Sequence, residues 1–233
     1  MSKRTQRRLT TMAIGLIAAV GASVVATAPI GAQDREVPLC DGREATIVAT
    51  EPGVIAGTDG PDVIVGSSGD DVIMAGAGND LVCAGAGDDT VHGSAGEDLI
   101  FGEGGEDVLR GGAANDLIYG GPGADTIHAG RGSDLAVADG GSDTIFGGAG
   151  DDVLQGDDGE DVIHGQSGTD LVLGGSGDDR VVGGKGNDEV RGGDGDDVLL
   201  GSRGLADSLS GGEGIDTCID QGSGTTFSQC ESA

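Results

Sequence analysis

At 233 residues the chain is long enough for one or two domains. With 2% aromatic residues and no tryptophan, it lacks the large side chains on which a compact core normally leans. Its 50 glycines are about three times the usual share. Its net charge of −29 disfavours nucleic acid and anionic membranes as partners of the whole molecule and favours multivalent cations. Composition alone is equally that of a disordered acidic tail, so a fold has to be argued from pattern.

The first predicted element is an export signal over residues 1–32. Lys3, Arg4, Arg7 and Arg8 precede an apolar, small-residue run from Met12 to Ala28, which is the layout of a secretory signal peptide. A retained anchor is the alternative, because the run is near the lower limit for spanning a bilayer. The Ala and Gly content and the small-residue end favour cleavage, and cuts after Ala26 and after Ala32 both fit. Arg7-Arg8 is a weak trace of the twin-arginine export route. The expectation is a secreted, extracellular chain with no membrane span once mature. Without residues 1–32, 8 basic residues face 41 acidic ones and the net charge becomes −33. Residues 33–56 follow as an N-terminal cap segment.

From Gly57 the chain divides into nine-residue units: GTDGPDVIV, GSSGDDVIM, AGAGNDLVC, AGAGDDTVH and onward to GGDGDDVLL. Sixteen units reach Leu200 without a gap. A seventeenth, Gly201–Ser210, carries an insertion at Leu205-Ala206, and an eighteenth, GGEGIDTCI, ends at Ile219. Position six is Asp in all eighteen units. Position four is Gly except at Ala114, and position eight is Ile, Leu or Val except at Ala136 and Cys218. A random acidic tail does not hold three positions in register over such a length.

Positions seven to nine read as a very short strand, with position eight facing inward. Glycines at positions one, two and four suit tight turns and leave carbonyls bare. Two units make a coil with a strand on each side, and coils stacked ~4.8 Å apart bring successive carboxylates into rows. Alone, such rows repel. A multivalent cation between neighbouring loops would make ligands of the same oxygens, and its binding would become part of the folding free energy.

The unit matches GGxGxDxUx, where U is a large apolar residue. Over residues 57–219 the chain therefore resembles the hemolysin-type calcium-binding family, the RTX nonapeptide repeats. The resemblance implies an all-β fold: a right-handed parallel β-roll (β-solenoid) of about eighteen nonapeptide units in nine coils, with Ca2+ in its turns. The metal candidates are the position-six aspartates: Asp62, Asp71, Asp80, Asp89, Asp98, Asp107, Asp116, Asp125, Asp134, Asp143, Asp152, Asp161, Asp170, Asp179, Asp188, Asp197, Asp207 and Asp216. Nine loops on each edge leave eight gaps, hence up to about sixteen ions. Weak sites are expected at Ala114, at ADGGSD from Ala138, and where the insertion displaces Asp207. Position-five acids such as Asp70, Asp88 and Asp151 read as solvated charge in preference to ligands.

The outward positions of odd and even units differ. The odd face is almost wholly apolar, with Leu81, Leu99, Phe101, Leu117, Tyr119 and Leu135 among its residues; the even face is mixed. An apolar sheet face usually meets something. The N-terminal segment is expected to cover its first coils, and a second copy or another protein the rest; β-propensity alone is the plainer explanation. Four cysteines in an exported chain suggest disulfides, with three pairings open. Cys40 with Cys83 on the odd stripe, and Cys218 with Cys230 closing the tail over residues 220–233, fit these faces best. His92, His128 and His164 recur every second coil, ~10 Å apart, too far to share a metal.

No HExxH or G-x-S-x-G motif occurs, the repeat accounts for the aspartates, and no residues remain for a catalytic domain of the kind that precedes the repeats in protease or lipase members. The expectation is a non-enzyme: a secreted calcium-folded scaffold, adhesion or interaction module. The alternative is a non-catalytic accessory module that binds a polysaccharide or a partner enzyme. Ice binding is disfavoured, because the even face lacks regular Thr-x-Thr rows.

Overall fold

A computed structural model describes residues 38–203, 206–219 and 224–230. The predicted export signal lies outside the described residues. No helix occurs among the described residues, and none is long and apolar enough to cross a membrane.

The chain is an all-β parallel solenoid of about ten turns. Alternate strands join an 11-stranded sheet, here the first sheet, and a 10-stranded sheet, the second. The pairing register is one coil. Val108, Leu109 and Arg110 face Thr126, Ile127 and His128, and Thr126, Ile127 and His128 face Thr144, Ile145 and Phe146. Strands are longer than the three residues expected. Most run six residues, such as Val108–Ala113 and Thr126–Arg131, because positions one to three of the next unit continue the ladder, as in Ala113 opposite Arg131.

The interior is one residue thick. Position eight from Ile64 through Leu209 stacks into a single apolar column, and the residues from Ile64 to Leu199 are fully buried. Alternation explains this: along Leu117, Ile118 and Tyr119 the middle residue is buried and its neighbours are half-buried. The column supplies what aromatic residues would in an ordinary core, and coil-to-coil amide bonds such as Val108 N–H to Asp89 O (2.8 Å) secure it.

Both cap segments extend the solenoid. Ile47–Val48 pairs with Val63–Val65 in the first sheet, and Val54–Ala56 with Val72–Ala77 in the second. At the other end Thr226–Ser228 pairs with Ser208–Glu213. Only the antiparallel hairpin Leu39–Cys40/Arg43–Glu44 lies on the odd face, where a Cys40–Cys83 disulfide ties it beside buried Leu81. Cys218 and Cys230 form the second disulfide.

Candidate metal centre

The position-six aspartates end each turn just before a strand, so the coil repeat stacks them into two rows. All eighteen are buried. From Asp80 onward their two carboxylate oxygens have different environments. Oδ1 accepts the backbone N–H of the aspartate one coil earlier, as in Asp98 N–H to Asp116 Oδ1 (2.9 Å) and Asp107 N–H to Asp125 Oδ1 (2.8 Å). Oδ2 of each of the sixteen from Asp80 to Asp216 is buried with no hydrogen-bond donor among the described residues.

At eleven of the sixteen, Oδ2 faces a bare position-one glycine; at Asp80, Asp89, Asp134 and Asp143 position one is alanine. A Cβ placed on Gly102 would lie 2.5 Å from Asp107 Oδ2 and 2.5 Å from Gly120 O; one on Gly165 would lie 2.5 Å from both Asp170 Oδ2 and Gly183 O. Carboxylate and next-coil carbonyl thus converge where glycine leaves room. Burial, opposed in part by the amide bond, raises the carboxyl groups from Asp80 to Asp197. Asp89, Asp116, Asp152 and Asp179 are pushed up to about 7, and Asp98, Asp107, Asp125, Asp143, Asp170 and Asp197 to about 6, with neighbouring carboxylates adding to the effect.

Buried, unsatisfied anionic oxygens in rows cost several kcal/mol each unless a cation or proton meets them. The donor set is all oxygen: one carboxylate oxygen per aspartate plus carbonyls. No three His, Cys, Asp or Glu side chains converge among the described residues, which disfavours zinc. Calcium takes six to eight oxygens in flexible geometry and fits a set completed by backbone carbonyls.

The first two aspartates differ. Asp62 Oδ2 accepts the N–H and hydroxyl of Thr58 (2.7 and 2.8 Å), and Asp71 Oδ2 accepts the N–H of Ser67 (2.7 Å). These two turns close on themselves. Thr58 offers a hint in the sequence, since a β-branched residue resists the positive φ that position two adopts in later turns; Ser67 offers none, because Ser94 takes φ 86° at the same position.

At the three turns expected to be weak sites the carboxylate row is unbroken. Ala114 keeps the left-handed turn at φ 85°, and Asp116 keeps its place in the row. In ADGGSD, Asp139 takes φ 80° and Asp143 still accepts Asp125 N–H (2.6 Å). The insertion does not displace Asp207, which accepts Asp188 N–H (3.0 Å) across a 19-residue step. The ladder resumes beyond the insertion, with Glu189 opposite Ser208.

Position five is not merely solvated charge. Asp70 Oδ1 accepts Asp88 N–H (3.1 Å), Asp88 Oδ1 accepts Glu106 N–H (2.9 Å), and Asp151 Oδ1 accepts Thr169 N–H (2.7 Å). This outer ladder runs opposite to the position-six ladder, each side chain receiving the amide of the following coil. The histidines do not cluster. His128 and His164 instead stack on the two faces of Phe146 at 4.9 and 5.4 Å.

No curated protein matches the sequence. The profile of the RTX calcium-binding nonapeptide repeat matches residues 54–82, 84–109, 101–136, 137–172 and 173–204. That match spans fourteen of the sixteen orphaned carboxylates, Asp80 to Asp197, and the chain belongs to the RTX calcium-binding nonapeptide repeat family, whose repeats bind Ca2+.

Proposed function

We propose that the protein is a secreted, non-catalytic scaffold or interaction module whose solenoid is completed by calcium. The carrying observation is the double row of buried Oδ2 atoms without donors, from Asp80 to Asp216. In this reading those aspartates hold the ions with carbonyls of neighbouring coils, and up to about sixteen ions bind. Asp62 and Asp71 serve as turn closures. Calcium supplies positive charge between coils; the chain supplies register, exclusion of water and bare backbone at the turns.

Export supports the reading physically. Calcium is scarce inside cells and abundant outside, so a chain that folds only with the ion stays unfolded until it has left. Two disulfides fit an oxidising compartment.

The test is far-UV circular dichroism of the chain without residues 1–32 during a calcium titration, with magnesium as control. A cooperative coil-to-β transition with calcium alone is the expected result. A chain equally β-rich in chelator would reduce calcium to a modulator, and a chain disordered at every calcium level would overturn the reading.

A further inference from the structure

The two sheets share a repeat but not a charge. Strands of the second sheet carry no aspartate or glutamate, in a chain with 41 acidic residues. They carry Arg110, Arg131, Arg180, Lys185 and Arg203, with His92, His128 and His164. Strands of the first sheet carry seven acidic residues, Asp157, Asp158 and Asp194 among them, and beyond its N-terminal edge one cation, Arg191, which is ion-paired with Glu189.

Arg110, Arg131, Arg180 and Lys185 form no ion pair among the described residues. Two of them sit beside histidines: after burial, Arg110 is the next cause holding the His92 and His128 imidazoles below their usual range, and Arg180 does the same to His164. The opposite sheet lies ~10 Å away. At a ~8 Å screening length in physiological salt its acids are attenuated at this face through solvent, though not abolished.

The cations follow the solenoid axis and do not ring a pocket. From the Arg110 strand to the Arg180 and Lys185 strand is four coil steps, or about 19 Å, so the fitting ligand is an extended polyanion. Nucleic acid is a poor match, because base stacking needs open ring faces. Here Phe146 is stacked on both faces by histidines, nearly parallel at 10° and 9°, and the row presents ring edges. Imidazole edges, with the hydroxyls of Thr126 and Thr144 two positions back on the same outward side, suit sugar hydroxyls.

We propose that the outer face of the second sheet binds an extended anionic polysaccharide, with Arg110, Arg131, Arg180 and Lys185 meeting its sulfate or carboxylate groups. The proposal goes beyond calcium binding and needs only a folded roll. The test measures binding of dextran sulfate, against unsulfated dextran of equal length, to the calcium-saturated protein at physiological salt, with circular dichroism recorded on the same samples. The expected result is binding to the sulfated polymer alone, weakened at least tenfold in R110Q/R131Q/R180Q/K185Q and unchanged in R43Q/R191Q. The slope of log affinity against log salt should also become shallower by about three in the quadruple variant.

Absence of binding by the folded protein, equal binding of neutral dextran, or full binding by the quadruple variant overturns the proposal and leaves the calcium reading standing. Binding by a chain that calcium fails to fold overturns the assignment to this face together with the calcium reading. If the protein alone assembles into chains that the same four substitutions dissolve, the face belongs to the acidic sheet of a second copy and the polysaccharide proposal falls.

Discussion

Each position-six aspartate from Asp80 onward divides its work between two oxygens: Oδ1 ties one coil to the next, and Oδ2 is left without a donor, which is where the proposed cation would bind. That division separates it from Asp62, whose Oδ2 is already taken by Thr58. Asp116→Asn keeps an oxygen for the Asp98 amide and gives up the charge. It should lower the number of calcium ions bound, by equilibrium dialysis, while Asp62→Asn leaves the number unchanged; equal losses would return Asp62 to the ligand set. The raised carboxyl groups also fix a sign for pH. Folded values of about 6 to 7 lie above the unfolded ~3.9. Without calcium their contribution to stability is fully present below about pH 4 and is lost as pH rises through 6 to 7. With calcium the direction reverses, because protons and ions compete for the same oxygens. Denaturant midpoints from pH 4 to 8, with and without calcium, should therefore slope in opposite directions. A midpoint that rises with pH in calcium-free protein would contradict the buried geometry.

A single six-residue strand has little to hold it: one buried residue at position eight, another at position one, and amide bonds to the coils above and below. Stability is then a sum over neighbouring coils, and the end coils are the weak members. Both ends are stapled. Cys40–Cys83 closes a separation of 43 residues and Cys218–Cys230 one of 12. Loop-closure entropy predicts that Cys40→Ser/Cys83→Ser costs about 4 kcal/mol and Cys218→Ser/Cys230→Ser about 3 kcal/mol. Hydrogen exchange in saturating calcium should show the first loss around Val63–Val65 and leave the central strands protected. Uniform deprotection along the chain would mean that the roll unfolds as one unit. The position-five ladder adds a second set of inter-coil bonds outside the core, which explains why Asp and Asn recur there without being needed as ligands.

At the scale of the molecule, a net charge of −29 sits on a thin core. Self-repulsion opposes compactness, and in the proposed reading calcium between the coils would relieve it where it is densest. The odd face bears on assembly. The N-terminal hairpin covers Leu81 and Cys83, and the apolar row continues past it through the stacked pair Phe101 and Tyr119 at 5.2 Å. Its residues from Leu99 to Tyr119 are half-buried by their own neighbours, and Val153 is 36% exposed. A second copy seated beyond the hairpin would continue that covered cluster. Sedimentation velocity in calcium should then show a dimer that Phe101→Ser/Tyr119→Ser returns to monomer; a monomer at every concentration would leave the row as strand preference alone.

The nine-residue period, read without any structure, determined the repeat, the inward column at position eight, the rows of aspartate and the family. A strict period in a chain too poor in large side chains for an ordinary core leaves stacked coils as the way to bury what apolar surface it has. Both cysteine pairings were legible too, because sorting units by parity places Cys83 on the odd stripe. What the period could not carry were features depending on how one coil meets the next. The six-residue strands, the closed turns at Asp62 and Asp71, the opposed position-five ladder and the recovery of Asp207 after the insertion all rest on amides 18 or 19 residues away. The tolerance of Ala114 and Asp139 for left-handed backbone belongs with them, since neighbouring coils impose the turn and the local residue accepts the strain. The sequence supplied the carboxylates and their spacing; stacking decided which of their oxygens were left without a hydrogen-bond donor.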